Sequence, residues 1–107
     1  MRYIDKNDII VRLENLCSDI NCNLSDDVLC AINNNLKNDG SLPDVVLKEI
    51  TENAKIAKCE KIALCQDTGT VNVFVKYGKN VSFNDNSDIY SAINEGVKNG
   101  YQKYYLR

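Results

Sequence analysis

Over the first sixty positions apolar residues recur at three- and four-residue steps, the period of a helix face; from residue 71 they alternate strictly, the period of a strand. Asp5 is placed to cap a first helix carrying Ile9, Ile10, Leu13, Leu16, Cys17 and Ile20. Ser25 is placed to cap a second with Val28, Leu29, Ile32 and Leu36, and Gly40 suits the position that closes it. Ser41 opens a third through Val46, Leu47, Ile50, Ala54 and Ala57, with Pro43 tolerated in its first turn and Asp44 near the positive end of the helix dipole. Ile62, Ala63 and Leu64 then read as a short apolar strand. Val71, Val73, Val75 and Tyr77 line one face of a second strand, and Asn72, Phe74 and Lys76 the other. The turn residues Gly78, Lys79 and Asn80 send Val81, Ser82 and Phe83 back as an antiparallel partner. Ser87 with Asp88 starts a final helix whose stripe of Ile89, Ile93, Val97 and Tyr101 lies over the sheet. The expected fold class is α+β: three N-terminal helices, a small β-sheet with a hairpin, and a C-terminal helix packed on it, in one partial domain spanning 1–107.

Composition narrows the functions open to such a fold. At 107 residues, 44% hydrophobic and 26% charged, the chain is at most one domain with a packed core. A net charge of -2 with interspersed signs provides no basic face, which argues against nucleic acid or a membrane surface as partner. No apolar run approaches the roughly 20 residues of a membrane span. Histidine is absent, so an imidazole base or metal ligand is not available within these residues. The five cysteines, at 17, 22, 30, 59 and 65, are odd in number and widely spaced, with no C-x-x-C pair; they read as reduced thiols of a cytoplasmic protein.

The densest chemistry lies in Cys65-Gln66-Asp67-Thr68-Gly69, where a thiol, an amide, a carboxylate and a hydroxyl precede a glycine able to take positive φ. Two readings stand side by side. One is an ordinary turn in which Asp67 makes an Asx-type hydrogen bond; the other is a site in which Cys65 is offered from the turn to a ligand. A cysteine nucleophile is disfavoured, because no histidine stands ready to activate it. Cys17, Cys22 and Cys30 sit on or between apolar stripes and read as small buried hydrophobes, while Cys59, beside Lys58 and Lys61, reads as an unremarkable thiol. Tyr101, Tyr104 and Tyr105 form an aromatic helix end followed by Leu106 and Arg107.

The pentapeptide at 65–69, the stretch Val71 to Gly78 and the terminal Ala92-Ile93-Asn94-Glu95-Gly96-Val97-Lys98-Asn99-Gly100-Tyr101 with Tyr105-Leu106-Arg107 together resemble the N-terminal region of the class I iron-sulfur hydro-lyases. Within them the chain looks most like the alpha subunit, or alpha half, of class I fumarate hydratase, and the likeness extends over its whole length. That resemblance implies a four-iron four-sulfur cluster held by three cysteines, with one iron open to substrate. Cys65 would be the first cluster ligand, Gln66 and Asp67 would face a bound dicarboxylate (fumarate or malate), Asp67 would hydrogen-bond or exchange a proton with it, and Arg107 would clamp a carboxylate. It also implies a beta subunit or C-terminal half as partner, and a homo-oligomer. Ala63 stands where the family often has proline, and the family's other two cluster cysteines, its histidine, its lysine and its further arginines have no counterparts in this sequence. The expectation is therefore an N-terminal part of a longer subunit that binds no cluster and is inactive alone. An L(+)-tartrate dehydratase alpha subunit is the nearest alternative, and a non-catalytic interaction module using the tyrosine-rich end is another. A thiol redox protein is disfavoured, since no resolving cysteine lies near Cys65.

Overall fold

The computed structural model of the chain describes residues 1–84 and 88–107 and orders them as β1 (Arg2–Ile4), α1 (Lys6–Cys22), α2 (Asp26–Asn35), α3 (Leu42–Glu60), β2 (Val81–Phe83) and α4 (Ile89–Lys103). The mixture of helix and strand is as the pattern predicts, with helix predominating. Asp5 caps α1, its carboxylate accepting from the Asn7 amide at 2.8 Å, and Asp88 caps α4 in the same way, accepting from the Tyr90 amide at 3.1 Å. Ser87, which the pattern also places at that start, lies outside the described residues. Near the far ends asparagine side chains fold back onto helix carbonyls one turn earlier: Asn21 donates to the Cys17 carbonyl at 2.8 Å and Asn35 to that of Ala31 at 2.7 Å.

The strands differ from the pattern. The described residues contain no hairpin: 71–77 forms no ladder, and β2 pairs in parallel with β1, Arg2 against Val81, Tyr3 against Ser82 and Ile4 against Phe83. The cause lies in the helices that follow these strands. Ile10 and Leu13 of α1 meet Gly96 of α4, and Glu14 and Cys17 meet Gly100, so the two helices run in the same direction and bring their leading strands side by side. Tyr77 still reaches Phe83 across the turn, ring edge to face at 5.6 Å, which is the side-chain half of the expected hairpin without its backbone half. Residues 62–64 are not a strand either. Helix α3 runs to Glu60, Lys61 turns left-handed at φ 53°, and the Ile62 amide closes onto the Ala57 carbonyl at 3.2 Å.

Helix α4 also packs differently. It lies on α1 rather than over a sheet, and its buried positions are Ala92, Gly96 and Gly100, whereas Ile93, Val97 and Tyr101 are only half-buried. Two glycines one turn apart let the helix backbones approach to a distance at which a Cβ on Gly96 would stand 2.8 Å from Leu13 Cβ. The small core is completed by Ile10, Cys17 and Cys22 of α1 and by Ala54 and Ala57 of α3. The whole extends 60 × 28 × 21 Å with a radius of gyration of 18.2 Å, well above the roughly 13 Å of a closed domain of this length. Large apolar side chains accordingly stand in the open, Phe74 at 95% exposure and Leu42 at 77%. No helix among the described residues is long and apolar enough to cross a membrane.

The loop between α2 and α3 is organised by a buried acid. Gly40 is left-handed there, at φ 71°, but lies within this loop and does not close α2. Asp44, 1% exposed, accepts from the Lys37 and Asn38 amides at 2.9 Å each with one carboxylate oxygen and pairs with Lys48 at 2.9 Å through the other. The Lys48 ammonium, followed by the two amides, holds the Asp44 carboxyl below its ordinary ionisation range. A carboxyl that ionises more readily folded than unfolded contributes stability above its unfolded pKa, about 3.9, and loses it as pH falls through the lower folded value. The wild-type chain is therefore expected to lose helical signal in an acid titration below about pH 4, while Asp44→Asn is less stable at neutral pH and flatter across that range. Circular dichroism against pH, with urea midpoints at each pH, measures both.

Candidate functional site

The turn that carries Cys65 is fastened at both shoulders. On the upstream side the Leu64 amide donates to the Asn21 carbonyl at the end of α1, at 2.8 Å, and the Leu64 carbonyl accepts from the Asn53 side chain of α3, also at 2.8 Å. Downstream, the Thr68 carbonyl accepts from the Tyr101 hydroxyl of α4 at 3.1 Å, and the Thr68 hydroxyl accepts from the Arg107 amide at 3.0 Å. Between these anchors the Thr68 amide turns back to the Gln66 carbonyl at 3.2 Å, and Gly69, left-handed at φ 65°, donates to the Asp67 carboxylate at 3.3 Å. The Asx-type bond of the turn reading is thus present. So is an outward thiol: Cys65 is exposed, and its Sγ contacts the Asp67 carbonyl at 3.4 Å.

Cys65 and Gln66 line an open hollow of about 620 Å³ together with Ala63, Thr68, Tyr105 and Arg107. The expected thiol, amide and arginine therefore share one concave surface, although they stand some forty residues apart in sequence. Asp67 does not line it; its carboxylate is turned to Gly69. The arginine arrives there because α4 ends abruptly. Tyr105 takes the left-handed conformation at φ 54°, and the Leu106 amide closes onto the Tyr101 carbonyl at 2.9 Å, the closure usually built on glycine. A tyrosine in that conformation carries backbone strain, and it sits with 95% of its surface exposed on the rim of the hollow.

Of the other thiols, Cys17 and Cys22 are buried as expected, whereas Cys30 is exposed because α2 buries none of its residues, and Cys59 is exposed on α3. Burial, helped by the nearby Glu14 charge, pushes the Cys17 thiol up, away from thiolate. Iodoacetamide is expected to modify Cys30, Cys59 and Cys65 well before Cys17 and Cys22, as read by mass spectrometry of time points. Rapid labelling of Cys17 would contradict the α1–α4 contact. Among the described residues no three histidine, cysteine, aspartate or glutamate side chains gather to hold a metal.

Sequence reasoning missed the fasteners. Asn53 lies on the polar side of α3 and carries no periodic signal, and Tyr101 reads as one more member of an apolar stripe although its hydroxyl makes a specific bond. The one available hint is that a tyrosine at a helix's inner edge needs a partner for its hydroxyl.

Against known proteins, the sequence model of the family described as fumarate hydratase (fumerase) matches residues 10–107. A curated relative from Methanocaldococcus jannaschii, described as an L(+)-tartrate dehydratase alpha subunit, is 40% identical over 85 residues, which cover 78% of this chain and 30% of the relative. The chain thus spans about a third of the length of that relative. No solved structure matches it.

Proposed function

The chain belongs to the fumarate hydratase family, and we propose that it is the N-terminal part of the alpha subunit of an iron-sulfur hydro-lyase that interconverts fumarate and L-malate. The observation that carries this reading is the meeting of Cys65, Gln66 and Arg107 on one open hollow. The donor set fits a share in an iron-sulfur cluster: an exposed soft thiol on a turn fastened at both shoulders suits one ligand position, and the other ligands would come from residues beyond this chain. When bound, such a cluster supplies an open iron that polarises the hydroxyl to be lost.

The chain's own residues do the remaining work proposed for them. Removing water from malate breaks one carbon–oxygen and one carbon–hydrogen bond, so the acid must be held rigidly while a proton is taken from carbon. The Arg107 guanidinium, planar and permanently charged, is suited to a bidentate grip on a carboxylate. Gln66 offers an amide donor beside the thiol. Asp67 is the proposed proton carrier, and to serve as one it gives up its bond to the Gly69 amide and turns toward the hollow. The proposed partners are a beta subunit or C-terminal half and further copies of the same assembly, in the reducing cytoplasm where five free thiols persist.

A second reading is that the substrate is L(+)-tartrate, favoured by the description of the relative at 40% identity. Steady-state rates of the intact protein, assembled anaerobically, on malate and on tartrate separate the two. Higher kcat/KM on malate is expected; higher kcat/KM on tartrate would replace the first reading by the second, and turnover of neither would remove both.

A further inference from the structure

The carbonyls of Leu64 and Thr68 flank residues 65–67, and each accepts a hydrogen bond from a side chain on a different helix, Asn53 of α3 at 2.8 Å and Tyr101 of α4 at 3.1 Å. We propose that Asn53 and Tyr101 are positioning residues that fix the aim of the Cys65 thiol by gripping the turn from its two sides. The proposal rests on the reading of Cys65 as a cluster ligand for its purpose, though not for its geometry.

The reason to single out these two bonds is what surrounds them. The thiol itself bonds to the carbonyl of Asp67, inside the same short turn, and that bond cannot orient the turn relative to the rest of the molecule. Cys65 is exposed and is followed by exposed Gln66 and Asp67, so burial does little to hold it. Metal ligands that stand on loops owe their geometry to the groups behind them, and removing one such group typically weakens metal binding about 10- to 100-fold. A pair of donors on separate helices also links the turn to the relative placement of α3 and α4, for which the core supplies little direct contact. Asn21 contributes only its backbone carbonyl, to the Leu64 amide, and so is not open to the same test.

The test uses the intact protein, purified anaerobically, with Asn53→Leu, Asn53→Gln and Tyr101→Phe variants. Tyr101→Phe keeps the ring and removes only the donor; Asn53→Gln keeps the amide that Asn53→Leu deletes. Amide hydrogen exchange at residues 64–69 is expected to quicken by about tenfold in Asn53→Leu and in Tyr101→Phe, with α3 and α4 protected as before and Asn53→Gln returning toward wild type. The paramagnetic resonance signal of the reduced cluster is expected to broaden in the same two variants. Unchanged exchange at 64–69, or a loss of protection spread evenly along α3 and α4, would overturn the positioning role. The cluster reading fails separately: Cys65→Ala retaining full cluster absorbance would end it while leaving the exchange result intact.

Discussion

Gly100→Val is expected to prise α4 from α1 and to cost about 3 kcal/mol of stability. A Cβ at this position already meets Cys17 Cβ at 2.9 Å, Cys17 Sγ at 3.0 Å and Glu14 Cα at 3.1 Å, and the last of these is backbone that cannot rotate away. Valine adds two further methyl groups with a stiff χ1, so the helices must separate or bend. Gly100→Ala is milder, because alanine recovers about 1 kcal/mol of helix propensity against the overpacking. For a chain of this size the valine variant is expected to melt on the order of 12 °C lower. A second readout identifies the cause: Cys17, slow to alkylate in the wild type because it is buried, becomes rapidly modified. A variant that melts at the wild-type temperature with Cys17 still protected would mean that the two helices do not touch there.

On the proposed reading, Cys65→Ala in the intact protein is expected to lower both bound iron and turnover by more than about 100-fold, beyond the loss typical of groups one layer removed from a metal. Far-UV circular dichroism should not change, because Cys65 is exposed and its thiol bonds to the Asp67 carbonyl within its own turn. Cys59→Ala is the control, a second exposed thiol, on α3, that lies outside the hollow. Equal losses in the two variants would indicate general thiol damage; no loss at Cys65 would remove the assignment of this sulfur to a cluster.

How much could be read in advance differs by element. Helices α1, α2 and α3 were legible because each combines a residue at the cap position with a periodic stripe, although Ser25 and Ser41 start α2 and α3 without a side-chain capping bond and only Asp5 makes one. The turn at 65–69 was legible because its residue types are crowded with chemistry. Strand β1 was not, since three residues are too few for alternation to register. The alternation at 71–77 is a true half-buried-strand pattern, but a strand requires a neighbouring edge as well as a pattern, and the described residues put β2 against β1 instead. Helix α4 misled for a subtler reason: large residues draw the eye to Ile93 and Val97, while the packed face belongs to Ala92, Gly96 and Gly100, whose value lies in what they lack. The direction of Asp67 was not legible, because its bond from the Gly69 amide turns the carboxylate away from the hollow beside it.

The parallel embrace of α1 and α4 sets a schedule for biosynthesis. The first helix leaves the ribosome long before its mate is translated, and at ordinary elongation rates the wait is on the order of ten seconds. During it the face bearing Ile10, Leu13 and Cys17 lacks the late glycines that pack against it. Nascent chains of this protein should therefore depend on chaperone shelter at the ribosomal exit, and slowing translation between the two helices should lower the soluble yield.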